Sequence, residues 1–129
     1  MKPRETPSDL ELQILSVLWE YEPVSVREAM KLIPDQKQRA YTTVLSSFQV
    51  MEKKGFVTRH REGKADFWSS AVTREEVLGK QVGKLVNHGF GGKPSALLQC
   101  LLDQKMEAGD LEEIQDLIDE YTKTRGGDR

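Results

Sequence analysis

Arg39-Ala40-Tyr41-Thr42-Thr43-Val44-Leu45-Ser46-Ser47-Phe48-Gln49-Val50-Met51-Glu52-Lys53-Lys54-Gly55 is the stretch on which the fold of this chain turns. Ala40, Val44, Phe48 and Met51 recur at helical spacing, so the segment from about Arg39 to Lys54 reads as a helix with one apolar side. Gly55 stands where a left-handed C-terminal cap is wanted. The opposite side carries Thr42, Ser46, Gln49 and Lys53, flanked by Thr43 and Val50. It is polar, short-chained and uncharged near its start. Hydroxyl and amide groups of that kind bond base edges in a DNA major groove, and a Thr methyl can meet a thymine methyl. Arg39 and Tyr41 lie at the entry, where phosphate contacts would set register.

Two helices are expected upstream. Leu10, Ile14, Leu15, Leu18 and Trp19 place the first from about Asp9 to Trp19, ending before Pro23, and the second spans about Val26 to Ile33, stopped by Pro34. Downstream, Phe56 to Arg61 and Ala65 to Ser70 are β-prone and separated by Glu62-Gly63-Lys64, which reads as a hairpin. Three helices followed by a hairpin make a winged helix. On that wing, Arg59, Arg61 and Lys64 would straddle the neighbouring backbone or the minor groove.

Four capping boxes set the frame: Ser8 with Glu11, Ser25 with Glu28, Thr73 with Glu76, and Asp110 with Glu113. The third opens a helix from Arg74 to about Asn87, broken by Gly89-Phe90-Gly91-Gly92. Pro94 opens another bearing Leu97, Leu98, Leu101 and Leu102, and a last helix carries Leu111, Ile114, Leu117, Ile118 and Tyr121. Helices so short and so apolar on one side are marginal alone, and their stripes need a partner. Val77, Val82, Leu85, Leu97, Leu98, Leu101, Leu111, Ile114 and Ile118 are the expected pairing residues between two copies, with folding back on the same chain as the other solution. The expected architecture is mostly α with a small β-hairpin. Residues 1–72 form a winged-helix DNA-binding domain, 73–124 a helical dimerisation region and 125–129 a disordered tail.

Charge is segregated in the same way. The chain of 129 residues has a formal net charge of −2, yet residues 27–64 hold nine bases against four acids and residues 103–129 hold four against nine. A basic face meets a polyanion and the acidic end is repelled by it. No apolar run approaches the roughly 20 residues that span a bilayer. The opening Met1 to Pro7 lacks the apolar stretch of a secretory signal, and the single Cys100 cannot form an internal disulfide, so a cytoplasmic location is expected.

Other features carry bland readings. Cys100 is expected as a small packed hydrophobe. His60 and His88 are isolated, without ligands at metal spacing. The glycine cluster after the fourth helix lacks a phosphate-binding pattern, and Trp19 and Trp68 read as packing residues. No nucleophile with its base and no paired carboxylates appear, so no catalytic residue, metal or cofactor is expected. A winged helix used only for protein contacts is the alternative, and it would favour an apolar outward face on the third helix.

Glu11-Leu12-Gln13-Ile14-Leu15-Ser16-Val17-Leu18-Trp19, Val24-Ser25-Val26-Arg27-Glu28, Ala40-Tyr41-Thr42-Thr43-Val44-Leu45, Glu52-Lys53-Lys54-Gly55-Phe56-Val57 and Phe90-Gly91-Gly92-Lys93-Pro94-Ser95-Ala96-Leu97 resemble, in this order, the penicillinase repressor family. These are winged-helix repressors related to methicillin-resistance and copper-homeostasis regulators. The resemblance implies a homodimer held by the C-terminal helices, dyad-symmetric double-stranded operator DNA as partner, and Thr42, Thr43 and Ser46 in the major groove. Two departures stand out. Where proteolytically inactivated members carry an Asn-Phe bond, this chain reads Gln99-Cys100, and the cysteine-rich metal site of copper-responsive members has no counterpart.

Overall fold

A computed structural model describes residues 6–126. Six α-helices and one hairpin follow in the order α1 (Asp9–Tyr21), α2 (Val26–Leu32), α3 (Tyr41–Lys54), β1 (Val57–Glu62), β2 (Ala65–Ser70), α4 (Arg74–Lys84), α5 (Pro94–Leu102) and α6 (Ala108–Gly126), with a π turn at Leu85–Gly89 between α4 and α5. They fall into two compact units, the first ending at Val82 and the second beginning at Gly83.

The first unit is a winged helix. Helices α1, α2 and α4 start where side chains can satisfy the opening backbone donors. Ser8 Oγ accepts from Glu11 N at 3.2 Å while Glu11 Oε1 accepts from Ser8 N at 2.9 Å. Ser25 with Glu28 and Thr73 with Glu76 repeat the arrangement. Each such cap is worth about 1 kcal/mol. Gly55 ends α3 at φ 86°, a left-handed position that a residue with a Cβ adopts only at a cost.

Behind α3 lies one continuous core. Ile14, Leu15 and Leu18 from α1, Ala29 from α2, Val44, Phe48 and Met51 from α3 and Trp68 from β2 are all fully buried. β1 and β2 pair antiparallel with Val57 opposite Ser70 and Glu62 opposite Ala65, leaving a two-residue turn at Gly63-Lys64 with Gly63 at φ 60°. Glu62 therefore belongs to the strand rather than the turn. The hairpin is also tied to the helices. Val24, just before α2, bridges Trp68 through two backbone bonds of 3.1 and 2.8 Å.

Several boundaries differ from expectation for local reasons. Helix α1 runs two residues past Trp19. Ala40 is the exposed N-cap of α3, so the buried stripe begins at Val44 and Arg39 precedes the helix. Val77 is 8% exposed in the core of its own chain and Leu78 packs beside it. That removes Val77 from the expected pairing surface and carries the first unit past residue 72.

In the second unit the α-helix gives way at Leu85 to the π turn, where Phe90 N donates to Leu85 O at 3.1 Å. Gly91 and Gly92, at φ 64° and 80°, then reverse the chain toward α5. Helix α6 begins earlier than its expected cap. Glu107 N donates to Asp110 Oδ2 at 3.1 Å, so Asp110 sits inside the first turn as the reaching acceptor rather than at the cap. At the other end α6 continues through Arg125 to Gly126, and the rest of the expected tail, 127–129, lies outside the described residues.

Candidate nucleic-acid interface

Helix α3 presents two unlike sides. Thr42, Thr43, Ser46, Gln49, Val50 and Lys53 are exposed, while Val44, Phe48 and Met51 opposite them are fully buried. The outward side thus carries three hydroxyls, an amide, one branched apolar group and one ammonium. Among the described residues no side chain caps α3 at Ala40, unlike α1 and α2, so no side-chain acceptor meets the positive end of its dipole there.

The cations around this side are of two kinds. Lys53 and Lys64 are exposed, and neither makes an ion pair among the described residues. The arginines are engaged. Arg59 lies 3.8 Å from Glu52 and 3.9 Å from Asp66, with its guanidinium 5.8 Å from the centre of the Trp68 ring. Arg61 bonds the same Asp66 at 3.2 Å and also donates to Lys64 O. Glu52 and Arg59 join the end of α3 to the wing, so both sets of residues belong to one surface. Lys54 turns the other way. It pairs with the buried Glu11 at 3.2 Å.

Arg39 is held most firmly. Its two terminal nitrogens donate to the two oxygens of Asp35 at 2.9 and 2.7 Å. The Arg39 fork, the Lys37 N–H and the Gln13 amide hold the Asp35 carboxyl well below the usual carboxylate range. Two residues that the sequence reading left without a role also stand at this edge. Arg27 on α2 places its guanidinium 4.6 Å from the centre of the Tyr41 ring, and Gln13 on α1 reaches Asp35. The Arg27 to Tyr41 contact joins separate helices, and no periodicity within either one announces it.

The expected pairing residues other than Val77 remain available. Val82 is 48% exposed and Leu85 50%. Within the second unit no residue of α5 is buried; Leu97, Leu98 and Ile114 are half-buried, and Leu101, Leu111 and Ile118 are exposed along with Leu117 and Tyr121. Cys100 is exposed too, against the expectation that it packs. Among the described residues no group of His, Cys, Asp and Glu could hold a metal ion, and no helix is long and apolar enough to cross a membrane.

Comparison with known proteins agrees with this architecture. The penicillinase repressor of Bacillus licheniformis is 20% identical over 115 residues, covering 88% of this chain and 90% of that protein. Transcriptional regulator BlaI of Mycobacterium tuberculosis is 32% identical over 92 residues, 70% of this chain and 67% of its own length. Among solved structures, the DNA binding domain of the repressor BlaI superposes with a TM-score of 0.51 at 22% identity, over 59% of this chain and 93% of that domain, a likeness of fold. The family described as penicillinase repressor matches residues 7–120. On that match the chain belongs to the penicillinase repressor family, whose members are transcriptional repressors and not enzymes.

Proposed function

We propose that this protein represses transcription in the cytoplasm by binding a two-fold symmetric operator as a homodimer. The observation that carries the reading is the outward side of α3, where Thr42, Thr43, Ser46 and Gln49 stand exposed over a helix whose other side is sealed into the core. Those groups read base edges from the major groove. Lys53, the uncapped helix start beside Tyr41 and the Arg59, Arg61 and Lys64 wing contact the flanking phosphates. A surface for protein contacts alone would present an apolar face here, and this one is polar.

The second unit supports the dimer reading. Leu101, Leu111, Ile118 and their neighbours expose apolar area that a second copy would bury, at roughly 25 cal/mol for each Å² removed from water. The acidic α6, kept off the duplex by its charge, suits that role better than DNA contact. Two copies of α3 about 34 Å apart then match half-sites one helical turn apart.

Selecting fragments of the organism's own genome with the purified protein, and sequencing them, tests the reading. It requires an enriched motif that is two-fold symmetric with half-site centres about 10 base pairs apart. Enrichment without any shared motif contradicts it.

A further inference from the structure

We propose that Gln13, Asp35 and Arg39 form a positioning clasp that fixes the angle at which α3 meets DNA, and that Arg39 works through Asp35 rather than as a phosphate ligand. The inference rests on the reading of α3 as the DNA-reading helix. The connection from α2 to α3 is short and contains Gln36 at φ 58°, a left-handed position that is costly for a residue with a side chain and persists only when its surroundings hold it.

The surroundings do hold it, from three directions. Gln13 on α1 accepts from Asp35 N at 2.9 Å through Oε1 and donates to Asp35 Oδ2 at 3.0 Å through Nε2, and the same amide is steadied by Asp9 Oδ2 at 3.1 Å. Asp35 Oδ1 accepts from Lys37 N at 3.0 Å, closing a local turn. Arg39, immediately before the N-cap of α3, occupies both carboxylate oxygens. Its side chain is only 16% exposed. A bidentate fork so placed ties the start of α3 to α1 through one carboxylate. Releasing it for a phosphate would leave Asp35 only the Gln13 amide and the Lys37 N–H as partners and untie the start of α3 from α1.

The test compares full-length wild type with Gln13→Leu, Asp35→Ala, Arg39→Ala and the Asp35→Ala/Arg39→Ala double variant. Each is titrated onto a duplex bearing the enriched motif and a scrambled duplex of equal composition, across a salt series. The clasp requires Asp35→Ala and Arg39→Ala each to lower the motif-to-scrambled affinity ratio, by roughly the tenfold that one lost base contact costs. The double variant should be no worse than either single, and the salt slopes should keep their wild-type value.

Gln13→Leu changes no charge and lies on α1, so a lowered ratio there cannot be electrostatic. It also keeps the test decisive if an Asp35 or Arg39 variant fails to fold. A phosphate ligand gives the opposite pattern: Asp35→Ala tightens binding by freeing Arg39, and Arg39→Ala reduces the salt slope of the dimer by about two, one contact per half-site. That pattern, or an unchanged ratio in every variant, overturns the clasp alone. A wild type without preference for the motif overturns the repressor reading and the clasp with it.

Discussion

Phe48 on α3 and Trp68 on β2 meet in the core with ring centroids 4.9 Å apart and planes tilted by 40°, both fully buried. This contact makes the helix and the wing one body. The residue that anchors α3 from behind also seats the strand that carries the wing's pairing partners, Asp66 among them.

Phe48→Ala should therefore destabilise the first unit by about 3 to 5 kcal/mol, the range for emptying a buried aromatic site. Urea unfolding followed by Trp fluorescence checks it. A loss below about 1 kcal/mol would mean that the site collapses around the gap.

The free and paired cations should separate in a salt series. Lys53→Ala and Lys64→Ala each remove an exposed charge without an ion-pair partner among the described residues, and each, present once per half-site, should reduce the slope of log affinity against log salt by about two for the dimer. Arg61→Ala should do less, because Asp66 already offsets that charge. Fluorescence anisotropy between 50 and 200 mM salt reads the difference.

On the homodimer proposal, Leu117→Asn with Ile118→Asn, exposed positions on α6, should lower the mass in solution from that of two chains to that of one. Operator affinity should fall with it, since a single α3 reads only one half-site. Analytical ultracentrifugation gives the mass; an unchanged dimer would move the pairing surface elsewhere.

Acid should weaken the clasp in a defined direction. The Asp35 carboxyl ionises more readily folded than unfolded, chiefly through the Arg39 hydrogen bonds. Its stabilising contribution is complete above the unfolded value of about 4 and is lost as pH falls below it toward the lowered native value. The stability difference between wild type and Asp35→Asn should thus be constant near neutrality and shrink below about pH 4. Thermal melts across that range measure it.

What could be read from residues alone follows the range of the forces involved. The boxes at Ser8, Ser25 and Thr73 are contacts three residues apart, and each stands where its pattern put it. At Asp110 the same pattern misplaced the cap by three residues, because an Asp serves equally as cap and as the acceptor reaching back, and here it reaches back to Glu107. The two sides of α3 were legible because Val44, Phe48 and Met51 define the inward one by period. The Val24 bridge to Trp68, the Gln13 amide on Asp35 and the Arg27 contact with Tyr41 join separate elements and leave no periodic trace. Arg39 was visible as a base but not as a spent one, since its pairing depends on where α3 begins. Val77 shows the same limit. Its spacing marked an apolar stripe, yet spacing cannot say whether the core behind that stripe belongs to its own chain or to a second copy.

The most direct test is operator binding by the Thr42→Glu/Ser46→Glu variant, measured against wild type on the enriched motif and on scrambled DNA. Two carboxylates on the outward side of α3 leave the core untouched, so folding and dimer mass should be unchanged while preference for the motif disappears. A variant that keeps its preference would show that another element reads the DNA.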